Sequence, residues 1–216
     1  MTSPSKLVCV VDDDRSSRES LLRLFNAAGL AAEAFESSVA YLKRPAYEGP
    51  ACLVLDVHMP GLNGLELQRV LVERGRKEQL VFVTGNGDIT KCVQAMKAGA
   101  SDFLPKPFED GELLAACERA LDRAAEHYLK HAGMLEARAR IGKLTPREFQ
   151  VFQRVVAGKM NKEIAADLGT AIKTVKVQRG HVMEKMRVAS VAELVMLANK
   201  AEAFRTESLD RGRIFS

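Results

Sequence analysis

Tryptophan is absent from the 216 residues, and cysteine and histidine occur four times each. Cys9, Cys52, Cys92 and Cys117 are scattered, with no CxxC pair and no nearby paired histidines. That spacing argues against a zinc site or a disulfide framework. The cysteines read instead as small buried hydrophobes of a reducing compartment. No apolar run approaches the ~18 residues of a membrane span. The polar stretch Met1–Lys6 and the short run Leu7–Val11 do not make a signal peptide. A cytoplasmic protein with no membrane partner is therefore expected. Internal repeats and low-complexity tracts are also missing.

What is present is an ordinary globular balance, 47% hydrophobic and 28% charged. The length suits one domain of about 120 residues plus a smaller one. The net charge of +4 hides an asymmetry. Residues 1–125 hold 15 Lys+Arg against 18 Asp+Glu, a net of −3, whereas residues 126–216 hold 17 against 10, a net of +7. A basic second half points mildly to nucleic acid.

Short β-branched runs alternate with helix-period segments. The runs are Leu7–Val11, Ala31–Phe35, Ala51–Asp56, Leu80–Thr84 and Asp102–Leu104. The helical segments are Ser16–Ala28, Ser38–Arg44, Gly64–Arg74, Asp88–Ala98 and Asp110–Arg123; in the first, Leu21, Leu24, Phe25 and Ala28 share a face. Strict βα alternation implies a doubly wound, five-stranded parallel sheet with helices on both faces. The runs CLVL and LVFV are apolar throughout, as central strands buried on both faces should be. Residues 126–143 read as a helical linker in which Gly133 is a weak point. An all-α domain follows over 144–204, opened by Thr145 as N-cap, Pro146 at the first helical position and Glu148 completing a capping box. Its helices are expected at Pro146–Ala157, Asn161–Leu168, Ile172–Met186 and Val191–Phe204. Residues 205–216 read as a flexible tail.

In an open parallel sheet, ligands gather at the carboxyl ends of the strands, beside the point where strand order reverses. Here the first strand ends in Asp12, Asp13 and Asp14, the third in Asp56 and the fourth in Thr84, and the fifth leads into Lys106–Pro107. Helix capping explains one aspartate after the first strand but not three in a row. Converging carboxylates repel one another, and a hard dication such as Mg²⁺ relieves the repulsion through oxygen ligands. A carboxylate beside that ion can attack phosphorus, and a hydroxyl and an ammonium can hold the product oxygens.

The stretches Val10–Asp14 (VVDDD), Leu53–Leu67 (LVLDVHMPGLNGLEL), Val81–Asp88 (VFVTGNGD) and Ala95–Phe108 (AMKAGASDFLPKPF) together resemble the receiver domains of two-component response regulators. The likeness covers roughly residues 6–125, within a receiver domain placed at 1–125. It implies Asp56 as phosphoacceptor and Asp13 as a direct Mg²⁺ ligand, with Asp12 supporting the ion through water. The backbone carbonyl of His58 would be a further ligand, leaving that side chain free to vary. Thr84 and Lys106 would clasp the phosphoryl oxygens, Pro107 would follow a cis bond, and Phe103 would be the switch aromatic. Asp14 reads as a helix-start carboxylate.

Asn161–Leu168, Gly169 and Ile172–Met186 have the shape of a helix-turn-helix. Val175, Gln178, Val182 and Met186 share the face expected to pack inward. Lys173, Lys176, Val177, Gly180 and Glu184 lie opposite, near Arg187, on a basic surface sized for a major groove. Leu144–Ala198 resembles the NarL/FixJ, LuxR-type DNA-binding domain through LTPRE, NKEIAADLG, KTVKVQ and EKM. The DNA-contacting set is then Lys173, Thr174, Lys176, Val177, Arg179 and Gly180, with Arg179, at the border of the faces, reaching phosphate. Two departures stand out. Ala171 replaces the usual capping serine, so the helix start would depend on Thr170. Gln178 replaces a common histidine, and Gly180, costly in a helix by roughly 1 kcal/mol relative to alanine, would allow close approach to DNA.

The resemblances imply a phosphorylation-gated transcriptional regulator and not an enzyme, beyond phosphoryl acceptance and slow self-dephosphorylation. Its partners would be a sensor histidine kinase, double-stranded DNA, a second copy of the chain when phosphorylated, and RNA polymerase. Three rivals stay open on the residues alone. One is a receiver whose output is protein contact. Another is an aspartyl-phosphate phosphatase, against which His58 stands where a second aspartate is needed. The last is a flavodoxin-like carrier, in which the three aspartates would repel a flavin phosphate.

Overall fold

The computed structural model describes residues 4–85 and 89–211. The chain divides into two compact units between Tyr128 and Leu129.

In the first unit β1 (Leu7–Val11), β2 (Ala31–Phe35), β3 (Ala51–Asp56), β4 (Gln79–Thr84) and β5 (Asp102–Pro105) form one parallel sheet in the order β2-β1-β3-β4-β5. The expected doubly wound sheet is present. Period-2 alternation sends side chains to opposite faces. Leu7, Cys9, Val11, Leu53, Leu55 and Phe82 pack on one side with Tyr41, Leu67, Leu71 and Ala95. These partners belong to α2 (Ser38–Lys43), α3 (Gly64–Glu73) and α4 (Ile89–Lys97). Val8, Val10, Cys52, Val54, Val81 and Val83 pack on the other. There they meet Leu21 and Phe25 of α1 (Arg15–Ala27), and Leu113, Cys117 and Leu121 of α5 (Asp110–Ile141). Each fully buried Val, Leu or Phe among them contributes about 1.5–3 kcal/mol. All four cysteines are free thiols, three of them buried. Burial pushes the Cys9 thiol up to about 12, so it is no nucleophile.

The helix boundaries differ from expectation for local reasons. Helix α1 starts at Arg15 because Asp14 is its N-cap, accepting from the Ser17 amide. Helix α2 ends at Lys43 because Arg44, ahead of Pro45, is forced into extended backbone. The expected start of α4 at Asp88 lies outside the described residues.

Helix α5 runs unbroken for 32 residues, straight through Gly133. The glycine is therefore not the interruption that its low helix propensity suggests. The end of α5 belongs to the core of the second unit, where Ala137 is buried and Ile141 packs against the same cluster. That cluster joins α6 (Pro146–Val156), α7 (Asn161–Asp167), α8 (Ile172–Met186) and α9 (Val191–Arg211) through Val151, Val155, Ile164, Val175, Val182, Met186 and Leu194. The capping box at Thr145 and Glu148 forms as expected, with Pro146 in the first turn. Helix α9 continues past Phe204 to Arg211, just before Gly212, because no glycine or proline interrupts it sooner. The rest of the expected tail, residues 212–216, lies outside the described residues.

Candidate phosphoacceptor site and nucleic-acid interface

Strand order reverses at β1, which has β2 on one side and β3 on the other. The carboxyl ends of β1 and β3 therefore flank the crevice, and they carry Asp12, Asp13 and Asp56. One carboxylate oxygen from each lies within 4.8 Å of the others. Asp12 and Asp56 are buried, while Asp13 is exposed.

Both carboxylate oxygens of Asp12 already accept hydrogen bonds. Its Oδ1 accepts from the Asp14 amide (2.8 Å), and its Oδ2 accepts from Ser17 Oγ (2.7 Å) and Lys106 Nζ (2.9 Å). Burial pushes this carboxyl up, but the hydrogen bonds from Lys106, Ser17 and Asp14 outweigh burial and leave it below its ordinary value. Asp56 behaves in the opposite way. Burial raises it, the Asp12 carboxylate adds to the rise, and Lys106 and the backbone amides of His58 and Val57 offset it only in part. Its Oδ1 is buried with no hydrogen-bond partner. An orphaned carboxylate oxygen among three clustered acids suits a hard dication, which takes oxygen ligands and cancels the repulsion.

The remaining expected residues converge on the same end of the sheet. Thr84 is wholly buried at the end of β4. The Lys106–Pro107 peptide is cis, and the Lys106 amide donates to the Thr84 carbonyl (2.7 Å). Phe103 is half-buried and tilted against Phe82, with ring centroids 6.2 Å apart. The Lys106 ammonium, expected beside a phosphoryl group, is paired here with Asp12.

The His58 side chain is not indifferent. Its Nδ1 lies 3.2 Å from Thr84 Oγ1, and its Nε2 lies 2.8 Å from Lys91 Nζ. Sequence reasoning also missed Ser17, Arg18 and Gly64. Ser17 and Arg18 hold the side chain and the carbonyl of Asp12. Their positions in the first turn after the aspartates were the available signal. Gly64 opens α3 directly against Asp56, behind a capping box of Asn63 and Glu66. The box was legible as N-x-x-E, but the close approach was not.

In the second unit, α7 and α8 meet across Gly169, whose φ of +59° favours glycine. Val175, Val182 and Met186 face inward, and Gln178 is half-buried. Lys173, Thr174, Lys176, Val177 and Gly180 are exposed. Arg179 is half-buried and donates to Asn161 Oδ1 (2.9 Å), which ties α8 to α7. Helix α8 has Ala171 at its N-cap with no side-chain cap, so the substitute expected from Thr170 is not made. Its far end is held by Arg140, which donates to the Met186 carbonyl (2.8 Å).

Residues 8–118 match the response regulator receiver domain family, and residues 142–198 match the bacterial regulatory proteins of the luxR family. The chain belongs to the response regulators. It is 43% identical to Nodulation protein W of Bradyrhizobium diazoefficiens over 91% of this chain and 86% of that one. It is 44% identical to the transcriptional regulatory protein FixJ of Azorhizobium caulinodans over 88% and 90% of the two chains. Among solved structures, the response regulator StyR superposes with a TM-score of 0.84 at 44% identity, covering 91% of this chain and all of that one. This response regulator joins a receiver to a LuxR-type helix-turn-helix, and it is a DNA-binding transcriptional regulator of the two-component class. Among the described residues no helix is long and apolar enough to cross a membrane.

Proposed function

We propose that Asp56 accepts a phosphoryl group from a sensor histidine kinase or a small phosphodonor, and that this event gates DNA binding by α8. The observation that carries the reading is the unpartnered Oδ1 of Asp56 within the three-carboxylate cluster. Asp13, Asp56 and the backbone carbonyl of His58 would hold Mg²⁺, with Asp12 supporting it through water. When bound, the ion would neutralise charge on the transferring phosphoryl oxygens. Asp56 attacks phosphorus through a carboxylate oxygen, and the bond from phosphorus to the donor breaks. Lys106 exchanges Asp12 for a phosphoryl oxygen, Thr84 turns its hydroxyl to another, and Phe103 follows into the space that Thr84 leaves.

The domain limits follow the same reading: a receiver over 1–125, a helical linker over 126–143 and a DNA-binding domain from 144, whose last helix, α9, runs past the expected limit of 204 to Arg211. Phosphorylated chains pair, which brings two copies of α8 onto half-sites of a two-fold operator and adds avidity without new contacts per module. Lys173, Thr174, Lys176, Val177, Arg179 and Gly180 form the DNA-facing set, with Arg179 first having to share or release Asn161. The bound protein works in the cytoplasm and meets RNA polymerase there. It turns over no substrate beyond losing its own phosphoryl group slowly.

Incubation with acetyl phosphate and Mg²⁺, followed by intact-mass measurement, tests the reading. One phosphoryl mass on the wild type and none on Asp56→Asn is the expected result. No gain on the wild type, or an equal gain on the variant, overturns it.

A further inference from the structure

We propose that His58 is a positioning residue: its imidazole, oriented by Lys91, holds the Thr84 hydroxyl where it stands before phosphoryl transfer. This rests on the reading of Asp56 as phosphoacceptor. Three elements meet at the ring. His58 follows β3, Thr84 ends β4 and Lys91 lies on α4. The ring is exposed while Thr84 is wholly buried, so the contact reaches from the surface into the end of the sheet.

The chemistry of the two contacts sets the tautomer. An ammonium only donates, so the His58 Nε2 facing Lys91 Nζ at 2.8 Å is the nitrogen with the lone pair. The ring proton of the neutral imidazole then sits on Nδ1, and Nδ1–H donates to Thr84 Oγ1 at 3.2 Å. Lys91 thus acts on Thr84 through the ring. A ring released from Lys91 no longer has its proton biased to Nδ1.

The consequence concerns the timing of the switch. A Thr84 hydroxyl that turns towards a phosphoryl group on Asp56 must leave Nδ1 of His58. The His58–Lys91 pair therefore opposes the rearrangement and favours the resting arrangement. Removing either residue makes the rearrangement easier, and removing both adds nothing further, because the two act through one hydrogen bond.

The test uses the full-length protein, with wild type, His58→Ala, Lys91→Met and the double variant. In the wild type, ¹⁵N spectra of the imidazole should show a protonated Nδ1 and an unprotonated Nε2, and Lys91→Met should shift the ring towards the other tautomer. Each single variant should raise the initial rate of phosphorylation by acetyl phosphate and Mg²⁺ about fivefold, the equivalent of ~1 kcal/mol. The double variant should match the singles. A wild-type ring protonated at Nε2 overturns the proposal, as do unchanged rates or single-variant effects that multiply in the double variant. A wild type that takes up no phosphoryl group overturns the Asp56 reading and this proposal with it. The tautomer measurement needs no phosphoryl transfer, so the two failures are distinguishable.

Discussion

Gly64 lies directly against the backbone carbonyl of Asp56: a Cβ on this glycine would overlap that oxygen and crowd Val57 Cα. The neighbours are backbone and cannot swing aside. Gly64→Ala should therefore destabilise the receiver by about 1–3 kcal/mol through overpacking, although alanine is the better helix former by ~1 kcal/mol. Denaturant unfolding of the full chain measures this. An alanine variant as stable as wild type would show that the α3 start moves without cost. Displacement of Asp56 should also slow its phosphorylation.

The charge on Asp56 opposes folding when no cation is present. Its folded pKa lies above the unfolded one because of burial, so the cost is fully present above the folded value and vanishes below the unfolded value. In EDTA at neutral pH, Asp56→Asn should raise stability, by about 1 kcal/mol if one poorly satisfied buried group is relieved. The gain should fade as the pH falls through the carboxylate range. Added Mg²⁺ should raise the melting temperature of the wild type but not that of Asp56→Asn or Asp13→Asn, because ligand binding stabilises only a competent site. Equal Mg²⁺ stabilisation of all three would remove the carboxylate cluster as the ion site.

In the second unit Glu148 is buried and accepts from Lys185 Nζ (2.7 Å) and the Thr145 amide (2.8 Å). The Lys185 hydrogen bond, chiefly, lowers its carboxyl from 4.5 to about 2. A depressed folded pKa stabilises above the unfolded value, and that stabilisation is lost as the pH falls from 4.5 towards 2. Glu148→Gln should cost about 1–2 kcal/mol at neutral pH, as lost caps do. It should also flatten the acid limb of thermal unfolding. A variant with the same acid limb as wild type would assign that limb to other carboxylates.

Gly180 is exposed on α8, and a Cβ there would meet open space. Gly180→Ala should stabilise the domain by up to ~1 kcal/mol through helix propensity. Operator affinity should nevertheless fall if the backbone approaches DNA at this point. Unchanged affinity would leave the glycine without a binding role. Lys176→Ala should weaken binding and reduce the magnitude of the salt slope by about 1, provided that Lys176 meets a phosphate.

Local sequence patterns determined a great deal here. Short apolar, β-branched runs marked the five strands, and CLVL and LVFV are apolar throughout because central parallel strands are buried on both faces. T-P-R-E marked the start of α6, because a cap is satisfied within a single turn. Asp12, Asp13, Asp56, Thr84 and Lys106 were legible as one site because a parallel sheet brings strand ends together whatever lies between them. Tertiary structure decided what depends on distance in space. It alone set Lys106 on Asp12, left Asp56 Oδ1 without a partner and put Gly64 under the Asp56 carbonyl. It also joined His58 to Thr84 and Lys91, elements separated in sequence by 26 and 33 residues. The reason is physical. Strand period and capping are short-range and repeat along the chain. A hydrogen bond between side chains of different elements depends on rotamers and packing that no single stretch of sequence specifies.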